Sequence, residues 1–194
     1  MLQIILDVET KQTFDEVGGY FPEKLGVSFV GVCIRQSQME KGEMRGFFED
    51  QFDELFELIE RADVLVGFNI DGFDMPALNA HYQADSTSFP TLDILDRIRQ
   101  QAGHRISLDA VAQETLGIGK SGNGLDAIKY YREGNLKALS DYCLQDVAVT
   151  RDVYDYGFQK GHVKFRNKWN RLITCPVDFS FNLQKNAGMQ MSLL

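Results

Sequence analysis

Acidic side chains are the reactive groups whose spacing stands out in this chain. Asp7 and Glu9 close an apolar run, residues 2–6, that reads as a buried strand. Side chains alternate along a strand, so these two carboxylates point to one face and converge on one spot. Oxygen-rich pairs of this kind suit hard divalent cations, although solvated surface at a strand end is the commoner reason for them. A third acid, Asp74, stands in LVGFNIDGFDMPAL, where a short apolar strand runs into Asn69 and Phe73 and would approach the end of the first strand. Capping the helix that begins near Pro76 is an equally good reason for it. A fourth, Asp146, lies on a long helical pattern whose inward stripe reads Leu136, Leu139, Cys143, Val147, Thr150 and Val153. A carboxylate beside that stripe is costly unless it is paired or bound to metal. Tyr142 precedes it by one turn on the same face, with core packing as its plain alternative.

These acids need strands and a helix to bring them together, and the pattern supplies both. Apolar runs at 2–6, 26–34 and 43–48 read as three strands joined by short turns, an antiparallel meander. DQFDELFELIERAD then places Phe52, Leu55, Phe56, Ile59 and Ala62 at helical spacing, with acids in the first turn where the helix dipole favours them. A short strand at 64–68 follows. That β-β-β-α-β order is the order of a ribonuclease H-like mixed sheet with flanking helices. Helical segments are expected near 74–83, 92–101, 107–116 and 124–133, then a long one over 136–156 capped by Asn135. Residues 162–183, rich in strand formers and broken by Pro176, predict a β-hairpin or extension, and the last ten residues have few apolar anchors.

The 194 residues, 44% hydrophobic, suffice for one substantial core and fit one domain better than two. The opening MLQIILDVET lacks the basic flank and cleavage pattern of a signal peptide, and no stretch approaches a membrane span. Cys33, Cys143 and Cys175 are too widely spaced for a C-x-x-C zinc motif or a disulfide framework, so a reducing cytoplasm is the expected compartment and no membrane is expected as a partner. A net charge of −8 excludes a protein that coats nucleic acid through broad electrostatics. The charge is uneven, with residues 1–157 at −13 and residues 158–194 at +5.

Taken jointly, IILDVET, the N-x-x-x-F-D of Asn69 to Asp74 and the Y-x-x-x-D of Tyr142 to Asp146 resemble the three exonuclease motifs of the DEDD (DnaQ-like) superfamily. The wording of DVET, NIDGFD, HRISLDAVA and YCLQD is closest to the proofreading exonuclease domains of family B DNA polymerases. The resemblance spans roughly residues 2–156 and implies an exonuclease domain over 1–157, with 158–194 a basic β-extension of the same domain. It implies 3′-5′ hydrolysis of single-stranded nucleic acid, DNA favoured over RNA, with a role in DNA repair and DNA-processing partners left unspecified. Two divalent ions, Mg²⁺ or Mn²⁺, would be held by Asp7, Glu9, Asp74 and Asp146, a donor set of oxygens with no Cys or His. Tyr142 would position the attacking water, which marks the tyrosine subclass: the other branch carries a histidine where Asp141 stands here. Thr10, Asn69 and Phe73 would contact the substrate.

Other features carry less. GIGKSGNG has Glu114 where a phosphate-binding loop would need its first glycine, and reads as a turn. The acids of 49–63 read as an exposed helix face. In GHVKFRNKWNR, Lys164, Arg166 and Lys168 alternate with Val163, Phe165 and Trp169, which predicts a strand with a basic face for the phosphate backbone and an apolar face inward, an aggregation-blocking edge strand being the other reading. The same four acids would serve an exoribonuclease or a short-oligonucleotide nuclease. An inactive end-binding module of the same fold would be expected to lack one of them.

Overall fold

In a computed structural model, residues 1–181 except 39, 120, 121 and 123 are described. Three strands, β1 (Gln3–Thr10), β2 (Val27–Arg35) and β3 (Glu43–Phe48), form the expected antiparallel meander. After helix α1 (Phe52–Ile59), β4 (Val64–Gly67) pairs parallel to β1. Helix α2 (Asp74–Asn79) leads to β5 (Thr91–Asp93), which pairs parallel to β4 and completes a sheet ordered β3-β2-β1-β4-β5. This is the ribonuclease H-like mixed sheet that the pattern predicts. The fifth strand has no counterpart in the sequence pattern: three residues are too few to show a two-residue period, and the helix expected at 92–101 begins only at Ile94. Likewise α2 stops at Asn79 rather than 83.

Four more helices follow, α3 (Ile94–Ala102), α4 (Leu108–Leu116), α5 (Gly124–Arg132) and α6 (Leu136–Lys160). Asn135 caps α6 as expected, its side chain accepting from the Ala138 N–H at 3.2 Å, and Gly161 ends the helix at φ +67°. At 25 residues α6 runs on to Lys160, one turn past the expected end. The inward stripe is buried except at its start, where Leu136 is exposed.

Strand alternation sorts β1 between two apolar layers. Ile4, Leu6 and Val8 face α1 and α2 with Leu55, Ile59 and Leu78, while Ile5 faces α6 among Val147, Val153 and Tyr154. Each such aliphatic burial contributes about 1.5–3 kcal/mol. Arg35, fully buried, locks α6 to the far end of the sheet through a two-pronged pair with Asp155 at 2.8 and 2.9 Å, and its Nε donates to Gln3 Oε1 at 3.0 Å. Among the described residues no helix is long and apolar enough to cross a membrane.

The C-terminal hairpin exists, with β6 (His162–Arg166) antiparallel to β7 (Leu172–Pro176), but its expected basic face is incomplete. Val163 and Phe165 are buried as foreseen. Lys164 is half-buried and Arg166 is paired with Glu114 at 2.9 Å. Lys168 and Trp169 lie beyond the strand in the turn, because Asn167 ends β6 by accepting from the N–H groups of Trp169 and Arg171. Trp169 therefore leaves the apolar face on which its alternation placed it. The expectations for residues 182–194 lie outside the described residues.

Candidate active site

Asp7 and Glu9 share the α6 face of β1 with Ile5, as their spacing requires. In the β1–β2 register Asp7 stands opposite Gly31, and the absence of a side chain there lets α6 come close. A methyl on Gly31 would lie 2.9 Å from Cys143 Sγ and 3.0 Å from Val147 Cγ2. That approach sets Tyr142, Cys143 and Asp146 over the two acids.

Asp74 arrives from the other side. Strand β4 is short and its pairing with β1 ends at Ile5, so β1 continues beyond it with free backbone groups. The Asp74 carboxylate takes the Val8 N–H there, while its Oδ1 is buried with no hydrogen-bond partner among the described residues. It is the first residue of α2, directly after Phe73 at the N-cap position. The loop before it is braced by Asp93, which accepts from the N–H groups of Asn69 at 3.0 Å and Asp71 at 3.3 Å. Asn69 takes the left-handed conformation, φ +73°, and its Oδ1 accepts from Arg105 at 2.9 Å.

The four acids repel one another. Asp7 is pushed from 3.8 to about 7 by burial and then by Asp146. Burial, then Asp7, Asp146 and Asp74, hold Glu9 well above its usual range; burial and then Asp7 do the same for Asp74. Burial, then Asp146, Glu9 and Asp7, also raise Tyr142, whose hydroxyl donates to Asp146, so it stays a phenol. Such crowding is unfavourable without cations and is what a cation site requires. The orphaned Oδ1 of Asp74 and the set of carboxylate oxygens fit a hard divalent cation.

A thiol also stands among these acids. Cys143 Sγ lies 3.5 Å from Asp7 Oδ2 and, with Asp7 and Glu9, forms a group whose ligand atoms lie within 4.8 Å of one another. Burial and the facing acids push its thiol well above the ordinary range, so it acts as a weak donor to Asp7. Its place on α6 between Tyr142 and Asp146 was the available signal.

Beside the acids opens a groove of about 300 Å³ with an apolar wall of Phe14, Leu25, Phe73, Leu125 and Ile128. Thr10, just past a register shift in β1, lines it too. Phe73 meets Phe14 edge to face, with ring centroids 6.0 Å apart. Phe14, Leu25, Leu125 and Ile128 carry no sequence signal, since they come from loops and α5. Asn69 does not line this groove; it borders a neighbouring cavity with Asp93 and Arg105. Lys164, Arg166 and Lys168 are likewise absent from the groove's lining. The acids of 49–60 are exposed on α1 and the turns beside it, as foreseen, whereas Asp63 is half-buried and accepts from the Leu2 N–H at 2.6 Å. Of GIGKSGNG, Gly122 packs beneath the Tyr142 ring, and Lys120, Ser121 and Asn123 lie outside the described residues.

Comparison with known proteins bears on the fold that carries this site. No curated protein sequence matches the chain. Among solved structures, the family B DNA polymerase of the hyperthermophilic archaeon Pyrobaculum calidifontis superposes with a TM-score of 0.58 at 20% identity, over 81% of this chain and 24% of the polymerase. A zinc-bound E. coli ExoI–ssDNA complex superposes with a TM-score of 0.49 at 12% identity, over 82% of this chain and 41% of that one. The chain thus spans about a quarter of the polymerase and two fifths of ExoI. A family model described as the RNase_H superfamily matches residues 4–157, which run from the strand carrying Asp7 and Glu9 to the helix carrying Asp146, and the chain belongs to that superfamily.

Proposed function

We propose that the protein is a metal-dependent 3′-5′ exonuclease of the DEDD type, tyrosine subclass, that releases nucleoside monophosphates from single-stranded DNA ends. The observation that carries this reading is the convergence of Asp7, Glu9, Asp74 and Asp146 at one end of β1, at the cost of raised carboxyl pKa values and an orphaned buried oxygen. The RNase_H superfamily membership and the polymerase-like fold support a nuclease of this kind.

Asp7, Glu9, Asp74 and Asp146 would hold two divalent ions, which supply charge stabilisation at the phosphate and acidify the attacking water. Asp7, at the centre of the group, would serve both ions. Tyr142, a phenol held by Asp146, would orient that water through its hydroxyl oxygen rather than remove a proton. The apolar wall would receive the terminal base against Phe73 and Phe14, with the Thr10 backbone at the sugar. Asn69 would act one step back, its amide held by Arg105 while its loop sets Asp74 in place. DNA is favoured because the motif wording matches DNA polymerase domains.

A time course on matched 3′-labelled and 5′-labelled single-stranded DNA and RNA oligomers tests the proposal. The expected result is immediate release of the 3′ label as a mononucleotide, a shortening ladder from the 5′ label, loss of both in EDTA and recovery with Mn²⁺. RNA cut faster than DNA would replace the substrate. Undiminished cleavage by purified Asp7→Ala or Asp146→Ala protein would remove the mechanism.

A further inference from the structure

The turn of the C-terminal hairpin carries a binding feature separate from the acid groove. Residues 168–172 are all exposed, with Trp169 at 69% and Leu172 at 51%, the former the most exposed large apolar side chain among the described residues. Lys168 Nζ sits 4.5 Å from the Trp169 ring centroid, which leaves the opposite ring face open to a ligand. The turn is held in shape: Asn167 Oδ1 accepts from the N–H groups of Trp169 at 3.0 Å and Arg171 at 3.1 Å, and the Asn170 N–H reaches Asn167 O at 2.8 Å with Asn170 at φ +59°. An indole displayed on a rigid turn binds a flat ring with little ordering cost. The charge specifies the ligand further. Lys168 and Arg171 flank the indole in the basic C-terminal part of an acidic chain, residues 158–194 at +5, so the partner is both aromatic and anionic. Single-stranded nucleic acid combines the two at a repeating interval.

We propose that this turn is a second contact for the substrate strand, in which one base stacks on Trp169 and Lys168 and Arg171 face the flanking phosphates. None of the residues lining the acid groove comes from the hairpin, so the turn takes a base upstream of the one being removed. The nature of the ligand rests on the nuclease reading above; the contact itself rests on the hairpin. An acidic enzyme thereby gains hold on long strands without a basic cleft.

Trp169 is the chain's sole tryptophan, which makes its fluorescence a direct probe. The full chain is titrated in EDTA with a long oligothymidylate and, at equal nucleotide concentration, with a thymidine dinucleotide. Saturable quenching by the long strand, and little by the dinucleotide, is expected. Trp169→Ala should weaken the Kd for a dye-labelled oligothymidylate, read by anisotropy, by about 5- to 100-fold at unchanged Tm. The Lys168→Ala/Arg171→Ala pair should lower the slope of log Kd against log salt by about 0.7 for each phosphate that is no longer neutralised. Anisotropy-detected binding without quenching, absence of binding, or blue-shifted emission from the free protein, which would mean that the indole is already covered, each overturns the proposal. Cleavage without quenching removes the hairpin contact alone, whereas quenching in a protein that cuts neither DNA nor RNA with Mg²⁺ or Mn²⁺ removes the exonuclease reading alone.

Discussion

Gly31 lies directly under Cys143: a methyl built on the glycine would stand 2.9 Å from the thiol sulfur. The contact joins the strand position opposite Asp7 to the helix that carries Tyr142 and Asp146, so the spacing between the acids depends on a missing side chain.

Gly31→Ala should therefore act on both stability and chemistry. Overpacking of this kind costs about 1–3 kcal/mol, and an outward shift of α6 by a fraction of an ångström would move Asp146 and Tyr142 away from Asp7. We expect a lower Tm together with a fall in kcat of about 10-fold or more, partly restored by adding Cys143→Ala, which vacates the space. Full activity in the single variant would show that α6 adjusts without moving the site.

Tyr142→Phe removes only a hydroxyl. If that hydroxyl orients the attacking water, kcat should drop by about 10- to 1000-fold while KM and Tm stay close to the parent values. The raised pKa of Tyr142 adds a second expectation: its ionisation contributes no limb to the pH–rate profile at or below neutrality. A wild-type kcat in this variant would return Tyr142 to a packing role.

The acid cluster should make the metal-free protein sensitive to pH. Asp7 moves from 3.8 to about 7 on folding, so between those values the folded state holds a proton that the unfolded chain has released. Stability from this group is fully present below pH about 4 and is lost as pH rises towards about 7; Glu9 and Asp74 are shifted in the same direction. Asp7→Asn removes the penalty and should raise the unfolding free energy in EDTA at pH 8, by on the order of 1–3 kcal/mol, with a higher Tm there and no such gain at pH 4. Mg²⁺ or Mn²⁺ should stabilise the parent protein at pH 8 and stabilise Asp7→Asn far less. A parent Tm in EDTA that climbs steadily from pH 4 to pH 8 would contradict the repulsion among the acids.

Local periodicity, which is a property of the sequence alone, already determined half of the candidate site. A two-residue repeat puts Asp7 and Glu9 on the face of Ile5, and a helical repeat puts Tyr142, Cys143 and Asp146 near one another, because these relations depend only on backbone geometry within one element. The β-β-β-α-β order is legible for the same reason. Relations between elements were decided only in three dimensions. Asp74 is drawn to β1 because β4 is too short to satisfy it, the thiol of Cys143 meets Asp7 because Gly31 leaves room, and Phe14 and Leu25 form an apolar wall from a loop with no repeat to read. The three-residue β5 leaves no mark in the sequence because its pairing with β4, not any periodicity, makes it a strand. Lys168 and Trp169 show the opposite failure: their alternation is real, but the side chain of Asn167 turns the chain before they can take part in it. A periodic pattern says which residues share a face, whereas where a strand stops and what lies across from it are settled by hydrogen bonds and packing with distant parts of the chain.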